Sequence, residues 1–237
     1  MKKILITNDD GIHSEGLLRL AQAAQPLGEL WVIAPETQQS GKSHSFTLHE
    51  PIEVRETDYP LPGVHTFACT GTPADCVRVG LLGMFSEAPD YVFCGINDGY
   101  NVGPDLQYSG TAGAALEASF LGVQALAFSE AHGTDHGVTD RYLREIMLLL
   151  LEKPLPEDEI WNVNFPSCPL EECGGVLFDR TVSHDRFYLE KYGKEDLGGG
   201  RYVYTLGSAR SWKAAEGTDL RAVIDKFVSV GRVRNLS

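Results

Sequence analysis

Four stretches of the chain concentrate side chains able to hold a hard cation or an anion. The first is Thr7-Asn8-Asp9-Asp10-Gly11. Adjacent carboxylates repel each other, and burial makes that repulsion hard to tolerate without a cation or basic partner. Mg²⁺ and Mn²⁺ favour such oxygen ligands and leave positions for water and a phosphate oxygen. The same residues also suit a turn in which Asn8 or Asp9 caps a helix and Gly11 takes a positive φ. The second stretch, from Pro35 to Ser45, carries hydroxyls and amides around Gly41, a composition that fits a metal or phosphate loop as well as a plain solvated one. The third, from Cys94 to Gly103, sets Asn97, a neutral carbonyl donor, and Asn101 among three glycines. The fourth is Tyr108-Ser109-Gly110-Thr111-Ala112-Gly113-Ala114-Ala115. Ser109 or Thr111 can cap the helix that starts there, and small residues leave its first N–H groups open to a phosphate.

These stretches need elements to bring them together. Lys3 to Thr7 reads as a buried strand, and Leu17, Leu18, Leu20, Ala21 and Ala24 recur at helical spacing after it. Glu29 to Ala34 is a second strand, Pro73 to Met84 a helix, Asp90 to Cys94 a strand and Thr111 to Leu121 a helix. Gln124 to Ser129 is a strand, a helix begins near Thr139, and Ile160 to Phe165 closes the series. Such alternation predicts an α/β fold, a Rossmann-like, mostly parallel sheet with helices on both faces. Its ligands bind at the C-terminal strand ends, where Asp9, Asp10 and the loop after Phe93 emerge. Phe46 to Val54 reads as an accessory strand. From Gly174 the alternation stops, and strand-like pieces at Val176 to Val182 and Arg201 to Thr205 flank Leu197-Gly-Gly-Gly200. The expected division is a catalytic core over 1–173 and a β-rich arm and tail over 174–237, packing on the core or a partner subunit.

Composition narrows the function further. With 20 Lys and Arg against 33 Asp and Glu, the net charge of −13 works against nucleic-acid binding, and an anionic ligand would need a metal. The apolar runs Ile4 to Ile6 and Ile146 to Leu151 are too short for a signal peptide or a membrane span, so no membrane association is expected. Five cysteines without CxxC spacing suit a reducing cytoplasm. There is no Walker A motif, no GxGxxG and no GxSxG elbow. His132 and His136 stand four apart, but Gly133 and Gly137 make that segment a surface loop rather than a helical metal pair.

In order, the motifs Asn8-Asp9-Asp10-Gly11-Ile12, Gln39-Ser40-Gly41, Gly71-Thr72-Pro73-Ala74-Asp75, Gly95-Ile96-Asn97-Asp98-Gly99, Tyr108-Ser109-Gly110-Thr111 and Asn162-Val163-Asn164-Phe165-Pro166 closely resemble the SurE (survival protein E) family of metal-dependent 5′-nucleotidases. The chain departs from the family pattern at His13-Ser14-Glu15-Gly16 and at Gly231-Arg-Val-Arg. The resemblance implies one divalent ion per subunit, Mg or Mn, held by Asp9, Asp10, Ser40 and Asn97. It also implies a nucleoside 5′-monophosphate substrate, side activity on 3′-nucleotides or polyphosphate in some members, and a homodimer or homotetramer. Asn101, Ser109, Gly110 and Thr111 are expected to contact the substrate phosphate, and Asp9 and Asp10 to serve the chemistry. Two rivals are a nucleotide-binding module without turnover and a receiver-type signalling domain. The second would need an acceptor aspartate where the central strand ends in Phe93-Cys94-Gly95.

Overall fold

A computed structural model describes residues 1–133 and 135–235. Strand β1 (Lys2–Thr7) turns Ile4 and Ile6 to one core and Leu5 to another, all three fully buried. A strand apolar on both sides must be covered on both sides. On the Ile4 side lies α1 (Glu15–Ala24), capped by the Ser14 hydroxyl, with Leu17, Leu20, Ala21 and Ala24 buried at helical spacing. Beside it packs α4 (Gly137–Leu151), which buries Leu143, Ile146, Met147 and Leu150 in the same core. On the Leu5 side α2 (Pro73–Val79) and α3 (Gly110–Phe120) contribute Cys76, Val77, Ala114, Ala115 and Ala118. Small residues suit α3 because the two helices and the sheet approach one another closely there.

The other strands are β2 (Gly28–Pro35), β3 (Val54–Glu56), β4 (His65–Cys69), β5 (Tyr91–Asp98), β6 (Ala125–Glu130), β7 (Glu159–Phe165), β8 (Val176–Arg180), β9 (Tyr188–Gly198), β10 (Arg201–Arg210) and β11 (Val228–Arg234). The described residues form a nine-stranded sheet in the order β3-β4-β2-β1-β5-β6-β7-β11-β8, with β9 and β10 as a separate antiparallel hairpin. The six strands from β4 to β7 in that order run parallel, which confirms the α/β, Rossmann-like reading; β3 and β11 are antiparallel to β4 and β7. The chain leaves β1 toward β2 on one side and resumes at β5 on the other, so a crevice opens above β1 and β5. No helix among the described residues is long and apolar enough to cross a membrane.

Several elements differ from their expected form. Phe46 to Val54 is not a strand: Phe46 lies under the Arg78 guanidinium and Thr47 bonds to Asp75, so the segment follows α2, and pairing starts only at Val54. The helix expected to reach Met84 ends as α2 at Val79 and widens into a π turn over Gly80–Met84. Strand β5 runs on past Cys94 to Asp98, through an irregularity at Gly95 where a Cβ would stand 2.3 Å from the Phe128 carbonyl oxygen. The series does not close at β7, because β11 returns beside it and β8 joins β11. Within 174–237, then, β8 and β11 lie in the main sheet and the β9–β10 hairpin stands apart from it, while residues 236 and 237 lie outside the described residues. A helix of six residues, α5 (Asp219–Ile224), leads into β11.

Candidate active site

Asp9 follows β1 directly and is only 3% exposed. Its two carboxylate oxygens each accept one short-range bond from the start of α3: Oδ1 from the Thr111 hydroxyl at 2.5 Å and Oδ2 from the Gly110 N–H at 3.1 Å. Residue 110 has to be glycine for this approach, since a Cβ there would sit 2.8 Å from Asp9 Cβ and 3.0 Å from its Oδ2. Burial raises the Asp9 carboxyl above the usual aspartate range, against the pull of those hydrogen bonds. Asp10 points to the adjoining side, where Oδ2 accepts the Asp98 N–H at 3.1 Å and Oδ1 accepts Gln38 Nε2 at 3.4 Å. Its carboxyl is raised by burial and then by the neighbouring charge of Asp9.

The other expected ligands come from separate strand ends. The loop after β2 is tied to β1 by the Gln39 N–H, which donates to the Asp9 carbonyl at 2.7 Å, and this holds Ser40 beside the aspartates. Asn97 stands near the end of β5 and donates Nδ2 to the Gly99 carbonyl at 2.7 Å, which leaves its Oδ1 as the atom free to face a cation. Asp9, Ser40, Asn97, Asn101 and Ser109 line one cavity of about 210 Å³, and Asp10 lines an adjacent one of about 310 Å³, with Asp98 common to both walls.

Among the described residues, no lysine or arginine lines the smaller cavity, although Asp9, Asp98, Asp105 and Glu190 all do. In the larger one Arg19 is already paired with Glu130 at 2.5 Å and Asp140 at 2.6 Å. The two adjacent aspartates thus face no free cationic side chain, an arrangement that favours a bound cation. The donors at hand are carboxylate, hydroxyl and amide oxygens, and no group of three or more His, Cys, Asp or Glu among the described residues is arranged to hold a metal. That chemistry suits Mg²⁺ or Mn²⁺ better than a thiolate- or imidazole-seeking ion.

The expected phosphate contacts divide into two groups. Asn101 and Ser109 line the cavity. Asn101 is fixed in its floor: its N–H donates to Asn164 Oδ1, its carbonyl accepts from Asn162 and Asn164, and its Nδ2 donates to Ser129. The Ser109 hydroxyl caps α3 by accepting from the Ala112 N–H at 2.9 Å. Gly110 and Thr111 instead direct their donors at Asp9, and Thr111 is fully buried. Sequence reasoning did not single out Asp105, Tyr188 and Glu190, which form the far wall. Asp105 accepts the N–H groups of Phe187 and Tyr188 at 3.3 Å each, pinning the base of the β9–β10 hairpin to the cavity. No local motif announces such a contact across 83 residues. His132, read as a loop residue, bonds Asp98 through Nδ1 at 2.7 Å.

Comparison with known proteins places these features in a family context. Residues 4–187 match the family model for the survival protein SurE. Over 230 residues the chain is 38% identical to a protein of Geobacter sulfurreducens named 5′-nucleotidase SurE, covering 96% of this chain and 86% of that one. A Vibrio cholerae protein of the same name is 37% identical over 96% of this chain and 89% of its own length. The crystal structure of the SurE protein from Aquifex aeolicus superposes with a TM-score of 0.82 at 35% identity, covering 99% of this chain and 94% of that one.

Proposed function

The chain belongs to the SurE family, and we propose that it is a metal-dependent 5′-nucleotidase that hydrolyses nucleoside 5′-monophosphates to nucleoside and phosphate. The observation that carries this reading is the carboxylate-lined cavity without a lysine or arginine, into which a phosphate could enter only beside a cation. Asp9, Asp10, Ser40 and Asn97 would hold one divalent ion per subunit, Mg or Mn. When bound, such an ion polarises a phosphoryl oxygen and lowers the pKa of a coordinated water.

The protein's own groups do the remainder. Thr111 and Gly110 fix the Asp9 carboxylate by one bond to each oxygen, and its remaining lone pairs face the cavity to orient the attacking water and take its proton. Asn101, held rigid by Asn162, Asn164 and Ser129, and the Ser109 entrance to α3 define where the phosphoryl group rests. Gly110 and Thr111 act on the phosphate through Asp9.

A phosphate-release screen with nucleoside 5′- and 3′-monophosphates and polyphosphate, each with Mg²⁺, Mn²⁺ or EDTA, tests the proposal. Release from 5′-monophosphates that EDTA abolishes and metal restores is the expected outcome, with 3′-nucleotides or polyphosphate as slower substrates. Nucleotide binding without release at any metal would replace it with a binding module that lacks turnover. We further assign residues 1–173 to the catalytic core, completed within 174–237 by the sheet strands β8 and β11, and the β9–β10 hairpin to an arm that packs on the core or on a partner subunit in a homodimer or homotetramer. The five unpaired cysteines support a cytoplasmic setting.

A further inference from the structure

The nucleotidase reading leaves one half of the reaction without a residue. Hydrolysis at phosphorus expels the nucleoside 5′-oxygen as an alkoxide, a far poorer leaving group than a phenolate, and a positioned proton donor at that oxygen is worth about 10²–10⁴ in rate. The cavity wall offers few. Its aspartates are engaged already: Asp105 accepts two N–H groups, Asp9 is bonded by Gly110 and Thr111, and Asp98 by His132. Its amides and serine hydroxyls are too weakly acidic. Three tyrosines remain, Tyr100, Tyr108 and Tyr188.

Two of these are placed elsewhere. The Tyr100 oxygen accepts the Ser167 N–H at 3.1 Å, so that hydroxyl is turned toward the loop after β7. Tyr108 is 55% exposed. Tyr188 stands at the first position of β9, where Asp105 holds its N–H and the buried Phe187 ring packs edge-on against its own at 4.8 Å. Phe187 is in turn set between Tyr100 and Trp212, at 5.3 and 5.7 Å, so this base of the hairpin is the rigid part of an otherwise exposed arm. The Tyr188 hydroxyl reaches over Gly99: it lies 3.4 Å from the place a Cβ would occupy there, and Asn97 Nδ2 lies 3.7 Å from the same point. A phenol, ordinarily protonated at neutral pH, therefore stands over Gly99 in the cavity that Asn97 and Asp9 also line.

We propose that Tyr188 is a catalytic residue of this hydrolase, donating its phenolic proton to the leaving nucleoside oxygen. The proposal rests on the nucleotidase reading. Water adds its oxygen to phosphorus as the bond from phosphorus to the 5′-oxygen breaks. The electron pair of that bond stays on the 5′-oxygen, which takes the proton of Tyr188 Oη. The proton given up by the water passes to the Asp9 carboxylate and on to solvent, and the phenolate regains a proton from solvent. The β9–β10 hairpin thus supplies the proton donor from its first residue.

The test compares wild type with Tyr188→Phe in the full-length protein with Mn²⁺, using adenosine 5′-monophosphate and p-nitrophenyl phosphate, whose leaving group needs no proton. Loss of the hydroxyl should lower kcat for the nucleotide about 10²–10⁴-fold and leave the aryl phosphate nearly unchanged. Across aryl phosphates of rising leaving-group pKa, the dependence of rate on that pKa should be steeper in the variant than in wild type. Unchanged Mn²⁺ binding by calorimetry reports that the site is intact. An equal fall for both substrates, no fall for either, or a selective fall in Tyr108→Phe instead would overturn the assignment. Wild type that releases no phosphate from the nucleotide would overturn the nucleotidase reading first, and this one with it.

Discussion

Replacing Asp9 by Asn should make the metal-free protein more stable while removing its catalysis. The isosteric amide can keep both partners: its Oδ1 accepts the Gly110 N–H, and its Nδ2 donates to Thr111 Oγ1, whose hydroxyl rotates from donor to acceptor. What disappears is a charge that is 3% exposed, next to Asp10, with no lysine or arginine in its cavity. A lone buried charge costs several kcal/mol, whereas each of the two hydrogen bonds returns only about 1 kcal/mol more to the charge than to the neutral amide that keeps it. The balance favours the amide by about 1 kcal/mol, or roughly 2–4 °C in Tm for a chain of this size. Burial raises the folded Asp9 carboxyl above its ordinary value of 3.8, so between the unfolded and folded values the native state binds the extra proton. Stability from this group therefore falls as pH rises through that window, and the advantage of the Asn variant should grow from about pH 4 upward and then level off. With Mn²⁺ the order reverses. At a hundredfold excess over Kd, wild type should gain about 2.7 kcal/mol, roughly 5–11 °C, and the variant almost none, with phosphate release reduced about 10³-fold or more. Thermal unfolding with and without Mn²⁺ at several pH values, alongside phosphate release, decides the matter. A variant less stable than wild type without metal, yet retaining the Mn²⁺ shift, would refute the reasoning.

Two further perturbations probe how the site is held. Gly110→Ala puts a Cβ 2.8 Å from Asp9 Cβ and 3.2 Å from Pro73 Cγ, so α3 must back away; a displacement near 1 Å should cost about 10²-fold in kcat, and an unimpaired rate would show that the approach is not needed. Asp219 accepts the N–H groups of Gly103, Ser183 and Leu220 at 2.7–2.9 Å, joining the third loop to the arm. Asp219→Ala leaves these donors without their acceptor and should lower stability by about 3 kcal/mol, roughly 6–12 °C in Tm; a Tm within 2 °C of wild type in a melting assay would sink this account.

What could be read from the sequence was whatever short-range pattern encodes. Strand β1 and helix α1 were visible because an apolar run and a 3.6-residue spacing are local. Parallel alternation then put Asp9, Asp10 and Asn97 at one sheet edge without any knowledge of their contacts. Apart from element ends such as the π turn after Val79, the failures are long-range. Phe46 to Val54 alternates like a strand, but Asp75 and Arg78 of α2 claim Thr47 and Phe46 first. Residues 228–234 become a sheet strand because β7 has an open edge 63 or more residues earlier, which no window around Val228 contains. Tyr188 reaches the cavity through Asp105, 83 positions away.

The start of α3 shows why motif and role can separate. A helix N-terminus with small residues reads as a phosphate cradle, since its unsatisfied N–H groups carry about half a positive charge. Here the Gly110 N–H meets the Asp9 carboxylate, and the Thr111 hydroxyl does the same. That partial charge compensates a buried anion, so less of it is available to a phosphate. The cavity consequently keeps its carboxylate character, and among the described residues no lysine or arginine lines it to attract a nucleotide. The cation is then required twice over, to relieve Asp9 and Asp10 and to attract the phosphate. On this argument metal and nucleotide bind with positive coupling, because each reduces the repulsion that opposes the other.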